Sequence, residues 1–247
     1  MSISSAFSIA RSGLSTTEGR ANLVAGNIAN AQTEGYVRRE AAQVSTNGQS
    51  GTVELRIARQ VDERLAGMSR NASAELGQAS ATSEILGSYL ITLGEPGDEV
   101  SPAARLAEFQ AGLDLLANNP SDPAAQNDLL SRSEALVHSI NKAAVELEAS
   151  RGQAGDSLVS SVAEVNAALS DIAALNERLA LAGTDPTGTS GLMDEMNRRL
   201  DALGTQMDFQ GRWEADGTLT LHTTGGTELV HGETAVKLSA NRDTGRL

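Results

Sequence analysis

Apolar and small residues recur at Ile3, Phe7, Ala10, Leu14, Thr17, Ala21, Val24 and Ile28, in steps that alternate four and three. This heptad seam predicts one helix with a single sticky stripe. Its polar face lacks the run of Lys and Arg that a membrane-surface helix carries. After Tyr36 the period changes. Val53, Leu55 and Ile57 alternate with Thr52, Glu54, Arg56 and Ala58, which predicts a half-buried strand. Val37 to Val44 is its expected antiparallel partner, with Asn47 to Gly51 as the loop. Helical spacing returns at Leu65, Met68, Ala72, Leu76, Ala79, Leu86 and Leu90, a stripe so rich in Ala, Ser and Gly that its helix needs close neighbours.

Gly94 to Gly97 is a break. Ser101-Pro102 then gives an N-cap and a first-turn proline, and Leu106, Phe109, Leu113 and Leu116 line a short helix. Asp122-Pro123 repeats the start signal. Beyond it Leu130, Val137, Ala144, Arg151, Leu158, Val165, Ile172 and Leu179 keep seven-residue spacing without a slip, with Ile140, Leu147, Ala154, Ala168 and Leu175 between them. One helix from Pro123 to Leu181 would be about 85 Å long. Gly152 and Gly155 mark the place where a bend would fall, yet the register runs through both and favours continuity. Gly183 to Gly188 closes that helix, and Leu192, Met196, Leu200 and Leu203 mark a last short one. Short strands are expected at Phe209 to Trp213, Thr218 to Thr223, Glu228 to Val230 and Ala235 to Leu238, with Asp216-Gly217 and Gly225-Gly226 as turns. The expected fold is mainly α: extended coiled-coil-like helices in a long bundle, a small β-hairpin near the N-terminus and a β-rich C-terminal region. The expected domains are residues 1–60, 61–205 and 206–247, the last being the start of a β-rich outer domain.

Composition narrows the function classes. Aromatic residues are only 2% of the 247, so the core is aliphatic and suits thin bundles. With no cysteine, disulfides and thiolate metal sites are impossible. A formal charge of −13 argues against nucleic acid as a partner, and the doublets Arg38-Arg39 and Arg198-Arg199 read as solvated. The N-terminus has no basic start followed by an apolar run, so it is no secretory signal, and no stretch approaches the eighteen apolar residues of a span. By these rules alone the chain looks cytoplasmic. His138, His222 and His231 share no ligand spacing, so no metal site is expected, and no phosphate-binding or nucleophile-elbow motif occurs. Glu146 and Glu148, or Asp194 and Glu195, are carboxylate neighbours that do not face each other on a helix, and a solvated face accounts for them better than catalysis. Met193 and Met196 read as core rather than as copper ligands. No catalytic residue and no cofactor is expected.

The stretch Asn22 to Arg39 stands apart. Asn22, Gly26, Asn27 and Asn30 crowd the end of the seam, and Thr33, Gly35 and Tyr36 follow. Asn costs a helix interior about 0.6 kcal/mol against Ala, and Gly about 1, so local chemistry predicts a helix end and a turn at Gly35. NIANAQTEGYVRR also resembles the N-terminal signature of bacterial flagellar axial proteins, the rod, hook and hook-associated proteins, through Asn27, Asn30, Thr33, Gly35 and Tyr36. Glu34 and Val37 stand where that signature commonly has Pro and Ser. GTVELRIARQVDERL, the stretch from Gly94 to Leu130, LNERLA, MDEMNRRLDALG and the DGTLTL hairpin extend the resemblance over nearly the whole chain, toward the hook-associated junction members.

The resemblance implies a non-enzymatic structural subunit joining hook to filament. It would lie in the extracellular flagellum and be exported by a dedicated channel without a cleaved signal. Its partners would be copies of itself, the hook protein, a second junction protein, the export apparatus and a chaperone, with no nucleic acid and no membrane insertion. A hook or rod subunit is the alternative within the class, weakened by the long helices; a coiled-coil signalling or adhesin module would lack the Asn-rich motif. Asn22, Asn27, Asn30, Thr33, Gly35 and Tyr36 would be the subunit-assembly motif, with polar groups facing neighbours. Ile3, Phe7, Leu14, Val24 and Ile28 would be the helix seam. Family members usually end in a C-terminal helix that pairs with the first. Without it, no later helix of this chain is expected to run alongside residues 3–28, and residues 1–30 would then stay largely unfolded in the isolated monomer, becoming helical on assembly or with that missing segment.

Overall fold

The structure is a computed structural model that describes residues 3–33, 35–45, 53–183 and 186–245. The expected loop Asn47 to Gly51, the strand-edge Thr52, Glu34 and the helix-closing pair Thr184-Asp185 lie outside the described residues. The elements, in chain order, are helix α1 (Ile3–Ala29), strands β1 (Arg39–Ser45) and β2 (Val53–Arg59), helices α2 (Glu63–Leu93), α3 (Pro102–Asn118), α4 (Pro123–Ala182) and α5 (Pro186–Leu203), then strands β3 (Gln210–Trp213), β4 (Leu219–His222), β5 (Glu228–His231) and β6 (Thr234–Ala235). β1 and β2 form a two-stranded antiparallel ribbon, and β3 to β6 a four-stranded antiparallel sheet in chain order. The mainly helical fold with an N-terminal hairpin and C-terminal strands is as the patterning predicts. The last expected strand, Ala235 to Leu238, shrinks to a two-residue edge.

The start signals act as the sequence implies. Ser101 Oγ accepts the Ala104 N–H at 3.1 Å, capping α3 ahead of Pro102. Asp122 Oδ1 accepts the Ala124 N–H at 2.9 Å ahead of Pro123. α4 then runs unbroken for 60 residues. By length and composition an 18-residue window of α4 is apolar enough to cross a membrane, which the sequence-level count did not expect.

The backbone divides into two compact units, residues 1–76 with 164–237 and residues 77–163 with 238–247. The first unit has its core where the C-terminal part of α4 (Val165, Leu169, Ile172, Leu175, Leu179) meets α5 (Met196, Leu200, Leu203) and the sheet (Leu219, Leu221, Leu229, Val230). In the second, α3 lies on α4: the Arg132 guanidinium donates to the Glu108 carbonyl at 3.0 Å, beside Gly112, where any side chain would meet Arg132.

Along α4 the unslipped heptad stripe changes surroundings. Leu130 and Val137 are exposed, whereas Val165, Ile172 and Leu179 are buried. The covered positions near the start of α4 are instead Ala125, Leu129, Leu136, Ser139 and Ala143. A strict seven-residue repeat drifts by about 20° per heptad around an α-helix, so over seven heptads the stripe turns by about 140°. One stripe therefore cannot face one partner along the whole helix.

Gly152 and Gly155 do not break α4. In the second unit the segment after Lys237 crosses α4 there, and a Cβ on Gly155 would lie 2.6 Å from the Arg242 carbonyl oxygen. Arg242 Nη2 donates to Asp156 Oδ2 at 2.9 Å, and Arg151 Nη2 to the Asp243 carbonyl at 3.0 Å. Gly155→Ala would gain about 1 kcal/mol of helix propensity, yet it drives a methyl into backbone. The expected result is release of the crossing, read as faster tryptic cleavage after Arg242 with helix content unchanged; an unchanged cleavage rate would refute the crossing.

Candidate functional site

The end of α1 is built from its polar residues. The Asn30 backbone and side-chain N–H groups both donate to the Gly26 carbonyl at 3.0 Å. Thr33 Oγ1 donates to Asn30 Oδ1 at 3.2 Å, and the Tyr36 N–H to the Thr33 carbonyl at 3.1 Å. Gly35 takes φ +73°, where a side chain would be strained and would also strike Arg198 of α5. The turn thereby folds Tyr36 back over the helix it has just left.

Asn27 receives it. Its Oδ1 accepts the Tyr36 hydroxyl at 3.0 Å and the Arg39 N–H at 3.0 Å, and its Nδ2 donates to the Arg39 carbonyl at 2.8 Å. One amide thus holds both main-chain groups of the first residue of β1. The Arg39 guanidinium lies 5.2 Å from the Tyr36 ring centroid, within cation–π range. The amide of Asn27 and the hydroxyl of Tyr36 face into the chain, where the sequence had them facing neighbours. Asn22 is exposed on α1.

The ribbon register pairs Arg39 with Arg59, so both side chains leave the same face. Both reach Asp194 of α5: Arg39 Nη2 to Oδ2 at 2.8 Å, Arg59 Nη2 to Oδ1 at 2.9 Å and Arg59 Nε to Oδ1 at 3.2 Å. The side-chain exposures are 6% for Asp194, 11% for Arg59 and 26% for Arg39. Arg39 Nε is the one buried side-chain polar atom without a partner among the described residues. Two sequence readings are corrected here. Arg39 is not solvated, and Asp194 is not on a solvated face; only its neighbour Glu195 is, facing Arg178 at 3.8 Å and Arg199 at 3.9 Å. Beside the triad a cleft of about 430 Å³ is lined by Ile57, Arg59, Leu179, Ser190, Met193 and Glu214, among others.

α1 carries two stripes on opposite faces. Ser12, Thr16, Gly19, Leu23 and Asn27 are buried or half-buried. The ribbon lies on this face: a Cβ on Gly19 would lie 2.8 Å from Leu55 Cδ2, and the Val53 N–H donates to Ser12 Oγ at 3.4 Å. The hydroxyls on it are satisfied within the helix, Thr16 Oγ1 donating to the Ser12 carbonyl at 2.7 Å. On this face the ribbon, rather than a helix, runs alongside α1. The large apolar seam, however, is bare: Ile3, Phe7, Leu14, Val24 and Ile28 are all exposed.

A second asparagine was missed. Asn176 of α4 is fully buried; its Nδ2 donates to the Leu219 and Gly232 carbonyls, both at 2.8 Å, and its Oδ1 accepts the Leu219 N–H at 2.8 Å. It holds the first residue of β4 as Asn27 holds the first residue of β1. A signal existed, since Asn176 falls on the apolar face between Ile172 and Leu179. Arg59 was also missed, though it shares strand parity with Val53, Leu55 and Ile57.

A long helix, a ribbon pinned to the first helix, and polar groups spent on holding strands make a scaffold whose polar side chains hold its own backbone. Residues 92–246 match the family model of the flagellar hook-associated protein FlgK helical domain, and the chain belongs to that family. It is 26% identical to flagellar hook-associated protein 1 of Salmonella typhimurium, over 96% of this chain and 44% of that protein. It is 25% identical to the Bacillus subtilis protein of the same name, over 90% and 46%. The chain thus spans less than half the length of the curated relatives it matches. The structure of the flagellar hook junction protein FlgK from Burkholderia pseudomallei has the same fold, with a TM-score of 0.62 at 22% identity over 69% of this chain and 30% of that one.

Proposed function

We propose that this chain is part of a non-catalytic structural subunit that joins hook to filament, and that it assembles through α1. The supporting observation is the bare seam. Five large apolar side chains at heptad spacing stand exposed on one face while the opposite face is already occupied by the ribbon. An apolar stripe of this kind is stable only when buried against another helix. Its partners are copies of the same subunit and neighbouring axial proteins, among them the hook protein and a second junction protein. In this reading Asn22, Asn27, Asn30, Thr33, Gly35 and Tyr36 serve assembly by fixing how α1 is presented. The chain reaches the extracellular flagellum through the export apparatus, with a chaperone and without a cleaved signal, and neither inserts in a membrane nor binds nucleic acid.

The test is Leu14→Glu with Ile28→Glu. Both side chains are exposed, so the isolated chain should keep its stability within about 0.5 kcal/mol. In cells carrying the full-length gene with these changes, filaments beyond the hook should be lost. Normal filaments in those cells would overturn the proposal.

A further inference from the structure

The inward face of the ribbon is divided. Toward its tip, Val53 and Leu55 meet Ser12 and Gly19 of α1. Toward its base, Arg39 and Arg59 meet Asp194 of α5. Arg39 joins the parts, since its main chain is held by Asn27 of α1 and its guanidinium by Asp194. Among the described residues the hydrogen bonds and ion pairs of Asp194 go to Arg39 and Arg59, so the carboxylate fastens the ribbon rather than the core behind α5.

We propose that Asp194 is a positioning residue that sets the direction of α1 through the ribbon, so that the bare seam meets its neighbours in register. The proposal rests on the assembly reading above for its purpose, though not for its geometry. One carboxylate holds two guanidiniums that are cross-strand neighbours. Without its charge the two cations face each other and α5 with nothing between them, and breaking a buried pair by removing one partner is far costlier than never having had it. The ribbon is then pushed away from α5 and takes α1 with it. Asn176 and the buried leucines of the sheet hold the core independently.

The absence of cysteine allows spin labels in pairs. Glu18→Cys with Ala202→Cys reports α1 against α5, and Ala174→Cys with Glu233→Cys reports α4 against the sheet; all four sites are exposed. With Asp194→Asn the first distance distribution should broaden at least twofold and the second should not change. Asp194→Glu, which keeps the charge, should restore most of the narrow distribution. In cells, Asp194→Asn should reduce filament attachment although every seam residue is intact. Broadening of both pairs would make Asp194 a core residue and overturn the proposal, and so would a first pair that stays narrow. If Asp194→Asn broadens the first pair while Leu14→Glu with Ile28→Glu leaves filaments normal, positioning is upheld and the assembly reading fails.

Discussion

Asn176→Ala is expected to destabilise the first unit by about 3–5 kcal/mol, because it strips partners from three main-chain groups at once. A buried donor or acceptor left unpaired costs about 1–3 kcal/mol, and the Leu219 N–H, the Leu219 carbonyl and the Gly232 carbonyl all depend on this amide. Typical domains have only about 5–15 kcal/mol in total, so the loss is a large share. Asn176→Asp should be no milder, since it sets a carboxylate oxygen against two carbonyls. The single tryptophan gives the readout: Trp213 of β3 is the cross-strand partner of Leu219. Denaturant titration followed by its fluorescence should show the midpoint falling sharply in both variants. A midpoint equal to the parent's would mean that water replaces the amide without cost.

Ile172→Ala and Val137→Ala should part company although they lie on one heptad stripe. Ile172 is 0% exposed among the leucines of the first core, and its truncation should cost about 2–5 kcal/mol. Val137 is 57% exposed, so its truncation in the isolated chain should stay within about 0.5 kcal/mol. Calorimetry on both variants would compare them directly. Equal losses would show that the stripe is buried along all of α4, contrary to the drift argued above.

Element boundaries were legible where a short-range rule fixes them. Ser101-Pro102 and Asp122-Pro123 specify helix starts by their own chemistry, and the two-residue alternation from Val53 to Ile57 specifies a strand. The unbroken α4 was legible because the heptad register passes both glycines without a slip. What escaped was pairing at long range. Asp194 lies 155 residues from Arg39 and 135 from Arg59, and nothing near it announces two arginines. Periodicity also gives a stripe without saying what covers it, which is why Val137 and Ile172 looked alike. Gly155 looked like a weakness in a helix because the backbone that needs its missing side chain arrives 87 residues later, at Arg242. The seam of α1 was legible as a stripe, whereas its opposite face was not, since Ser12, Thr16 and Gly19 carry no hydrophobic signal.

That opposite face has a consequence for how α1 can change over generations. With one side committed to the ribbon and the other to neighbours, the helix is constrained twice over by surfaces that belong to different molecules. A change on the ribbon side is answerable within this chain, by Leu55 or Arg39. A change on the seam must be answered in another subunit. The flank bearing Glu18 and Asn22, both exposed, is answerable to water alone, whereas Arg11 borders the ribbon beside Val53 and Leu55. Substitutions should therefore accumulate on that flank first, and the two faces should drift at different speeds, each at the pace of the partner it has to match.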